Sequence, residues 1–355
     1  MTTYNIDIKN HTNLDYEPNP SFGTVQVPVM LWAEISKDKP IGEIHITDLK
    51  DVPLNPFTAT LHYGQSIFEG LKAYQLEDNI GIFRLKDAAK RFHTSAQIMS
   101  MAPIPTEIFE EAVTKYVEKC QEYIPGLDKH SLYLRPLLFA KDQKIKVASS
   151  NSYIFMVMSS IVGDYFASAD IETKVLVSKN FIRAFKGGTG EAKTAANYAL
   201  SLPSVNFANK HGYQQVLYLD AEKRSEIEEL GGMNFFWVKN NELYTPILNG
   251  QILHGITRKT IIEIAQMMGM VVHEATMTLA ELQTGHADGS ITETFACGTA
   301  ATIVPIDEIG VLKDDESIEP LKFSPGPVAK KLRDYLYDTH RGHTELSKKY
   351  LSLVF

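Results

Sequence analysis

The sequence predicts a mixed α/β fold divided into two domains. The chain has 355 residues, which exceeds the usual size of a single domain. Short apolar strands alternate with amphipathic helices along most of the chain. This pattern breaks between Ile161 and Ile171, where a glycine, an aspartate and small residues replace the apolar run. We therefore predict an N-terminal α/β domain over residues 1–162, an interdomain loop over 163–171 and a C-terminal domain over 172–355.

The N-terminal domain is predicted to begin with short strands separated by charged, proline and glycine breaks. Their ranges are Val25–Val29, Leu31–Ile35 and Ile41–Ile46. Farther along, an aromatic-rich stretch bounded by Gly64 and Gly70 favours a short turn of helix, which would place Tyr63 and Phe68 on the wall of a pocket. Packing in the core is the alternative for these two rings.

Three arginines of this domain are candidates for binding an anion. Arg84 and Arg91 lie near the start of a predicted helix over Lys86–Met101, and a buried arginine beside a phosphate would bind it with two hydrogen bonds. A solvated helix charge is the alternative. Arg135 lies within the apolar strand Leu132–Leu138, where an unpaired charge is costly, so it must meet an anion or reach water.

Lys193 is the candidate for a reactive amine in the C-terminal domain. Gly187, Gly188 and Gly190 precede it, and glycine allows a loop backbone to pack closely against its neighbours. Small residues flank the lysine, so its stem can be buried, and burial lowers the pKa of a lysine amine. Such an amine forms a Schiff base with an aldehyde. The alternative is a solvated lysine between a glycine loop and a helix, and only the rest of the chain decides between them.

Three further features suit a phosphorylated cofactor. Glu229 lies at a Gly-Gly turn before an apolar strand, where an acid either caps the turn or faces a ring nitrogen. Gly255, Ile256 and Thr257 begin a predicted helix, whose free N–H groups favour a phosphate, although N-capping by Thr257 is the alternative. A tight turn over Cys297–Ala300 would offer consecutive N–H groups to an anion before the next strand begins at residue 301.

Local signals predict the ends of several helices. Pro203 is expected to kink or split the helix that follows Lys193, and Gly212 is suited to the position just beyond its end. Thr278 and Glu281 have the spacing of a capping box, which predicts a short helix there.

The composition argues against several classes of partner. The net charge is -8, from 35 basic and 43 acidic residues, and no basic tract occurs, so we expect neither nucleic acid nor a membrane as a partner. No apolar run is long enough to span a bilayer, and we expect no signal peptide. Cys120 and Cys297 lie far apart without metal-ligand spacing. We therefore expect no disulfide framework, no metal and a reducing cytoplasmic location.

This set of features suits pyridoxal 5'-phosphate. The set comprises a Schiff-base lysine, a phosphate site at a helix start, an acid at a strand start and a second anion-binding turn. The cofactor is an electron sink, and a protein that uses it must hold its phosphate, pair an acid with its pyridinium nitrogen and supply the lysine.

The sequence resembles the branched-chain amino-acid aminotransferases, which belong to the fold-type-IV group of pyridoxal phosphate enzymes. The resemblance runs from about Trp32 to Val304, and more weakly to the C-terminus. Its motifs occur in the family's order and are LHYGQSIFEGLKAY, LYLRP, FIRAFKGGTGEAKTAANY, EELGGMN, LNGQILHGITR and ETFACGTAA. The resemblance implies a smaller N-terminal α/β domain and a larger C-terminal pseudo-barrel domain, with the cofactor in the cleft. It also implies reversible amino transfer between L-leucine, L-isoleucine or L-valine and 2-oxoglutarate.

The resemblance assigns cofactor contacts to the matching residues. Lys193 would form the Schiff base and carry the proton between the substrate carbon and the cofactor carbon. The other contacts would be Glu229 at the pyridine nitrogen, Tyr198 at the phenolic oxygen, and Arg91, Ile256, Thr257 and Thr299 at the phosphate.

It assigns substrate contacts in the same way. The N–H groups of Thr299 and Ala300 would bind the substrate carboxylate, and Arg135 would bind the distal carboxylate of glutamate. Val147, on the loop after the Arg135 strand, would reach the active site of the neighbouring subunit in a homodimer. The walls of the apolar side-chain pocket would be Tyr63, Phe68, Tyr133 and Tyr165.

Two positions depart from the pattern of the family. Ala301 and Val304 stand where some relatives have a redox-active cysteine pair, so we expect no thiol switch of that kind. Gly231 and Gly232 stand where many relatives have Gly-Thr, and this removes one possible polar contact near the cofactor.

Three alternatives remain open at the level of sequence. A D-amino-acid aminotransferase and an aminodeoxychorismate lyase share the same fold, and chain length and the FEGLKAY segment argue against both. A non-catalytic binding protein on the same scaffold is the third, and the retention of Lys193, Glu229 and Tyr198 argues against it.

Overall fold

A computed structural model of the chain describes residues 2–9, 14–18, 20–38, 41–126, 130–163 and 173–355. The chain forms two compact units. The first contains the described residues up to 163 together with Ala192–Ala196 and Asp338–Phe355, and the second contains 173–191 and Asn197–Tyr337. The predicted interdomain loop over 163–171 lies, apart from Gly163, outside the described residues, so the predicted domain boundary stays a prediction.

The first unit is built on a ten-stranded sheet with the order β1-β4-β3-β9-β8-β6-β7-β20, in which β2 pairs with β9 and β5 with β8. The strands are β1 Tyr4–Asp7, β2 Val25–Gln26, β3 Val29–Ser36, β4 Ile44–Asp48, β5 Ser66–Phe68, β6 Leu71–Gln75, β7 Ile80–Phe83, β8 Ser131–Ala140, β9 Ser152–Val162 and, from the end of the chain, β20 Leu351–Leu353. The helices of this unit are α1 Ala59–Tyr63, α2 Leu85–Ile98, α3 Thr106–Lys119 and α8 Glu345–Tyr350.

An aromatic cluster attaches the helices of the first unit to its sheet. Phe92 of α2 and Phe109 of α3 have ring centroids 5.0 Å apart. The ring of Phe155 on β9 lies 5.9 Å from Phe92 and 6.0 Å from Phe109. All three side chains are buried, so the same contacts that form the core also fix α2 on the sheet.

The second unit contains a ten-stranded sheet with the order β15-β14-β13-β12-β11-β10-β18-β19, and β16 pairs with both β13 and β17. The strands are β10 Lys174–Val177, β11 Gln215–Leu219, β12 Ile227–Leu230, β13 Asn234–Lys239, β14 Glu242–Thr245, β15 Val272–Glu274, β16 Ile291–Gly298, β17 Thr302–Pro305, β18 Glu308–Leu312 and β19 Ile318–Lys322. The helices are α4 Ala195–Lys210, α5 Ile256–Met267, α6 Leu279–Ala287 and α7 Pro327–His340, of which the last residues belong to the first unit. The predicted mixed α/β fold is confirmed.

Most local predictions hold, and two are wrong. Thr278 and Glu281 form the predicted capping box of α6, and Gly212 has the positive φ of 82° expected just beyond the end of α4. The stretch between Gly64 and Gly70 contains strand β5 and not a turn of helix, because pairing with β8 overrides the local pattern. Pro203 does not split α4, which continues through it as one helix.

Among the described residues, no helix has the length and apolar character needed to cross a membrane.

Candidate active site

The segment Ala192–Ala196 is held by backbone contacts within the first unit. The N–H of Phe68 on β5 donates to the carbonyl oxygen of Lys193 at 3.0 Å. The N–H of Lys193 donates to Ser95 Oγ on α2 at 3.0 Å, and Thr194 Oγ1 donates to the carbonyl oxygen of Ser66 at 2.7 Å. The lysine backbone is therefore fixed against both β5 and α2.

The glycine loop before Lys193 packs closely, as the sequence predicts. A Cβ atom at Gly190 would lie 2.2 Å from the carbonyl oxygen of Gln251, so no side chain fits there. Gly187 has a φ of 81°, which favours glycine. Asn197 ties the loop to the start of α4, because its Nδ2 donates to the carbonyl oxygen of Thr189 at 2.8 Å. Thr189 Oγ1 in turn donates to Asn197 Oδ1 at 2.7 Å.

The structure brings four of the predicted residues together within the first unit. Lys193 Nζ lies 4.7 Å from the centroid of the Phe68 ring, and the guanidinium carbon of Arg135 lies 4.7 Å from the same ring. Arg135 Nη2 donates to the hydroxyl of Tyr133 at 3.0 Å. Gly70 makes room for this arrangement, because a Cβ atom there would lie 2.3 Å from the Tyr133 hydroxyl.

Arg135 has an incomplete set of hydrogen bonds. Its Nε atom is buried and has no partner among the residues that the structure describes. Because buried donors are almost always paired, this atom indicates a place where an anion or a water molecule binds. The sequence argument about a charge inside an apolar strand led to the same residue.

Arg91 forms a two-point ion pair with a residue that the sequence analysis did not single out. Its Nε donates to Glu69 Oε1 at 2.7 Å and its Nη2 to Glu69 Oε2 at 2.8 Å. Glu69 is fully buried. The pair uses one side of the guanidinium and so orients its other edge. Ser95, four residues after Arg91, lies on the same face of α2 and contacts the Lys193 backbone.

Arg84, the other candidate for the phosphate, is committed elsewhere. Its guanidinium carbon lies 3.5 Å from the centroid of the Tyr350 ring, and its Nη1 donates to Asp87 at 2.9 Å. These contacts give Arg84 a structural role at the start of α2.

Glu229 lies at the centre of a buried network in the second unit. Arg183 Nη2 is 2.9 Å from Glu229 Oε1, and the N–H of Leu253 donates to the same oxygen at 2.8 Å. Arg183 also donates to the carbonyl oxygens of Gln251 at 2.8 Å and Gly190 at 3.2 Å. A fixed positive charge and a backbone N–H thus stabilise the ionised carboxylate.

Ile256 and Thr257 form the first turn of α5. Gly255 is the N-cap residue, and no described side chain caps this helix or places an acid in its first turn. Thr257 lies inside the helix, so the alternative of N-capping by Thr257 is wrong. A helix start without a side-chain cap and without acidic residues suits an anion.

Thr299 and Ala300 lie in the turn between β16 and β17, where Gly298 pairs with Thr302. This turn includes Ala301, so β17 begins at Thr302, one residue later than predicted. A Cβ atom at Gly298 would lie 3.5 Å from the carbonyl oxygen of Gly232. The ring of Tyr198 lies on another side of Gly232, because its Cε1 would be 3.7 Å from a Cβ atom there. The turn and Tyr198 are therefore both neighbours of Gly232.

The structure does not gather all of the predicted pocket residues. Tyr63 ends α1 and is partly exposed, and Val147 has 84% of its surface exposed. Tyr165 lies outside the described residues.

Glu228, the residue before Glu229 in β12, is also buried. Burial raises the pKa of Glu228 to about 7, and the negative charge of Glu229 adds to this effect. A hydrogen bond from Asn249 Nδ2 at 3.3 Å opposes it. Glu228 is therefore a buried acid that titrates near neutral pH.

The comparison with known proteins identifies the family. The model of the class IV amino-transferases matches residues 66–309. Branched-chain-amino-acid aminotransferase 2 of Bacillus subtilis is 36% identical over 346 residues, which cover 96% of this chain and 95% of that protein. The chain belongs to the branched-chain aminotransferases of class IV.

Solved branched-chain aminotransferases have the same fold. The enzyme from Thermoproteus uzoniensis with norvaline is 27% identical, covers 94% of this chain and 100% of its own, and has a TM-score of 0.72. The enzyme from Thermus thermophilus with pyridoxamine 5'-phosphate is 27% identical, covers 92% of this chain and 98% of its own, and has the same TM-score. The predicted fold-type-IV class and the family resemblance are confirmed.

Several residues of this branched-chain aminotransferase escaped the sequence argument. They are Phe22, Glu69, Ser95, Arg183 and Asn234. Arg183 had a usable signal, because a charge inside the apolar run FIRAF must find a partner. Phe22 had none, since its edge-to-face contact with Tyr133 at 4.8 Å joins distant parts of the chain. Among the described residues, no group of acids, histidines and cysteines could hold a metal ion.

Proposed function

We propose that this branched-chain aminotransferase catalyses reversible amino transfer between L-leucine, L-isoleucine or L-valine and 2-oxoglutarate. The observation that carries the proposal is the Lys193 amine above the Phe68 ring, which Arg135 also contacts. An apolar surface beside a single guanidinium suits a branched-chain side chain and, in turn, the distal carboxylate of glutamate.

The residues present fit pyridoxal 5'-phosphate. Glu229 is a buried carboxylate held by Arg183, as a partner of a protonated ring nitrogen must be. The start of α5 has no capping side chain among the described residues, as a phosphate site requires. When bound, the cofactor supplies an electron-accepting ring that stabilises negative charge at the substrate carbon.

The chain's own residues then divide the remaining tasks. Lys193 Nζ binds the cofactor carbon, takes the proton from the substrate carbon and returns it on the other side of the reaction. Glu229 accepts a hydrogen bond from the ring nitrogen and keeps it protonated. Tyr198 donates to the phenolic oxygen. Arg91, Ile256, Thr257 and Thr299 bind the phosphate.

Substrate selection follows from the Phe68, Tyr133 and Arg135 cluster. With leucine bound, the guanidinium keeps its contacts with the two aromatic rings, which offset part of the cost of its charge. With glutamate bound, the buried Arg135 Nε gains an acceptor. Tyr63 and Tyr165 complete the apolar pocket, and the N–H groups of Thr299 and Ala300 bind the substrate carboxylate. An apolar pocket discriminates one methylene by only about 1–3 kcal/mol, so one enzyme serves all three amino acids.

A homodimer in which Val147 reaches the neighbouring active site is part of the proposal. Val147 and Ile145 are exposed on one loop, and Phe57 and Leu61 are exposed close by. The loop and α1 are joined, because the N–H of Ala59 donates to the carbonyl oxygen of Asp142 at 2.9 Å. Exposed apolar side chains grouped in this way are typical of an interface.

Light scattering tests this part of the proposal. Val147→Asp is expected to shift a dimer toward the monomer, whereas the matched change Val271→Asp, at an exposed valine of the second unit, should not. A monomeric wild-type protein would contradict the homodimer.

A cytoplasmic location is supported by the two cysteines. Both Cys120 and Cys297 are buried free thiols. Burial raises the pKa of Cys120 to about 12 and also raises the pKa of Cys297, which keeps both groups as unreactive thiols.

The visible spectrum of the purified protein tests the main proposal. Pyridoxal 5'-phosphate bound to Lys193 gives a yellow absorption band, and L-leucine but not D-alanine should bleach it. Bleaching by D-alanine alone would indicate a D-amino-acid aminotransferase, and a band that neither compound bleaches would indicate the lyase. The absence of a band after the cofactor is added would contradict the enzyme altogether. Lys193→Ala should give no borohydride-trapped adduct.

A further inference from the structure

Asn234 makes two hydrogen bonds that join the ring-nitrogen acid to another part of the second unit. It begins β13 and lies directly opposite Glu229 across the β12–β13 pair, so both side chains project from the same face of the sheet. Asn234 Nδ2 donates to Glu229 Oε2 at 2.9 Å and to the carbonyl oxygen of Leu253 at 3.0 Å. Both partners are acceptors, so the amide nitrogen must face them.

The other end of the same amide contacts the residue before α5. A Cβ atom at Gly255 would lie 1.8 Å from Asn234 Oδ1. The φ of Gly255 is -65°, a value that any residue adopts. The glycine is therefore required by the space that Asn234 occupies and not by its own backbone.

Glu229, Asn234 and the turn over residues 253–255 form a closed set of contacts. The N–H of Leu253 donates to Glu229 Oε1, while its carbonyl oxygen accepts from Asn234. The backbone of Asn234 also pairs with Cys297 on β16. Both Asn234 and Glu229 are buried, so little freedom remains for the amide to turn away.

We infer that Asn234 is a positioning residue that links Glu229, the partner of the cofactor ring nitrogen, to the phosphate-binding start of α5. The inference rests on the proposed function. It means that the protonation of the ring nitrogen and the affinity for the phosphate depend on one amide. Loss of the amide should therefore affect both, although they concern opposite ends of the cofactor.

Two measurements on Asn234→Ala test this link. The first compares the dissociation constants of pyridoxal 5'-phosphate and of pyridoxal, which lacks the phosphate. The second follows the nuclear magnetic resonance shift of the isotope-labelled ring nitrogen in the bound cofactor, which reports its protonation. Because the hydrogen bond to Glu229 involves a charged group, affinity for the phosphorylated cofactor should fall by about ten- to hundredfold. Affinity for pyridoxal should fall less, and the resonance should move toward the unprotonated position.

The matched control is Asn209→Ala, which removes an exposed amide from α4 and should change neither measurement. Gly255→Ala provides a second route, because its new Cβ atom must displace Asn234 Oδ1. It should reproduce both effects on its own and add little to Asn234→Ala, in which the clashing oxygen is gone. Thermal unfolding establishes that each variant is folded at the temperature of the measurements.

Several results would overturn the inference. In Asn234→Ala these are an equal loss of affinity for both compounds, a shift of the resonance without a change in affinity, or behaviour like that of Asn209→Ala. Wild type and Glu229→Gln separate this failure from a failure of the proposed function. If the wild type does not bind the cofactor, or if Glu229→Gln leaves the resonance in place, the proposed function fails and the inference falls with it.

Discussion

Arg183 and Glu229 form a buried ion pair at 2.9 Å, between a loop before Lys193 and strand β12. The guanidinium also binds the carbonyl oxygens of Gln251 and Gly190. One side chain thus fixes the acid, the glycine loop and the stretch that leads to α5. The acid does not have to be held by the cofactor, because the protein alone already fixes its carboxylate.

Arg183→Met should strongly destabilise the protein. The change leaves the Glu229 carboxylate buried without its cation, and breaking a buried pair in this way costs about 3–5 kcal/mol. Urea unfolding measures the loss. Lys331→Met, which removes an exposed charge from α7, should change the free energy of unfolding by less than about 0.5 kcal/mol. Equal stability of Arg183→Met and wild type would show that the pair has no structural role.

Arg91→Gln should selectively weaken binding of the phosphorylated cofactor. A charge-assisted hydrogen bond contributes about 1.5–3 kcal/mol, so the dissociation constant of pyridoxal 5'-phosphate should rise by about ten- to hundredfold. The constant for pyridoxal should change little. Both are measured by absorbance titration.

Arg84→Gln is the matched comparison for this prediction. It breaks the contacts with Asp87 and Tyr350 and should lower the free energy of unfolding without changing the ratio of the two constants. If Arg84→Gln and Arg91→Gln change that ratio equally, Arg91 is not the phosphate residue.

Glu228 should make stability depend on pH. Its pKa is about 7 in the folded protein, above the ordinary value of 4.5. Between these values the folded state binds more protons than the unfolded state, so the free energy of unfolding falls as pH rises. The fall amounts to about 3 kcal/mol and is complete above the folded pKa.

Glu228→Gln removes this titration. The variant should be more stable than wild type at about pH 8, by up to about 3 kcal/mol, and the difference should vanish near pH 4.5. Urea unfolding at both pH values measures it. The same difference in stability at both would contradict a titrating Glu228.

Arg135→Met should separate the two substrate classes. Loss of the guanidinium removes the partner of the distal carboxylate, so KM for 2-oxoglutarate should rise by about ten- to hundredfold. KM for L-leucine should change only a few-fold, because methionine keeps the apolar contacts with Phe68. Single-turnover kinetics of each half-reaction measure the two effects, and an equal change in both would exclude a role in carboxylate selection.

The sequence predicts the individual chemical groups of the site better than the contacts that hold them. Lys193, Glu229 and the α5 start are recognisable because glycines, small residues and helix signals lie next to them in the chain. Arg183 binds Gln251, a residue far along the chain, and no local pattern encodes such a partner.

The same limit explains the two wrong elements. The stretch between Gly64 and Gly70 lacks a strong strand pattern, and its conformation follows from pairing with β8. Pro203 lacks the N–H that a helix uses, yet neighbouring serines stabilise α4 there, since Ser204 Oγ donates to the carbonyl oxygen of Ser201 at 2.8 Å. In both cases surrounding structure outweighs a local preference.

The C-terminal residues of the chain complete the first unit and not the second. Strand β20 pairs with β7, and the carbonyl oxygen of Tyr350 accepts the N–H of Arg84 at 2.8 Å while the tyrosine ring covers the guanidinium. During synthesis the N-terminal residues emerge first, but the edge of their sheet and the start of α2 wait for the last residues to leave the ribosome. The first unit therefore cannot finish folding ahead of the second, and translation that stops short of residue 350 leaves an open strand edge, which is a site for aggregation.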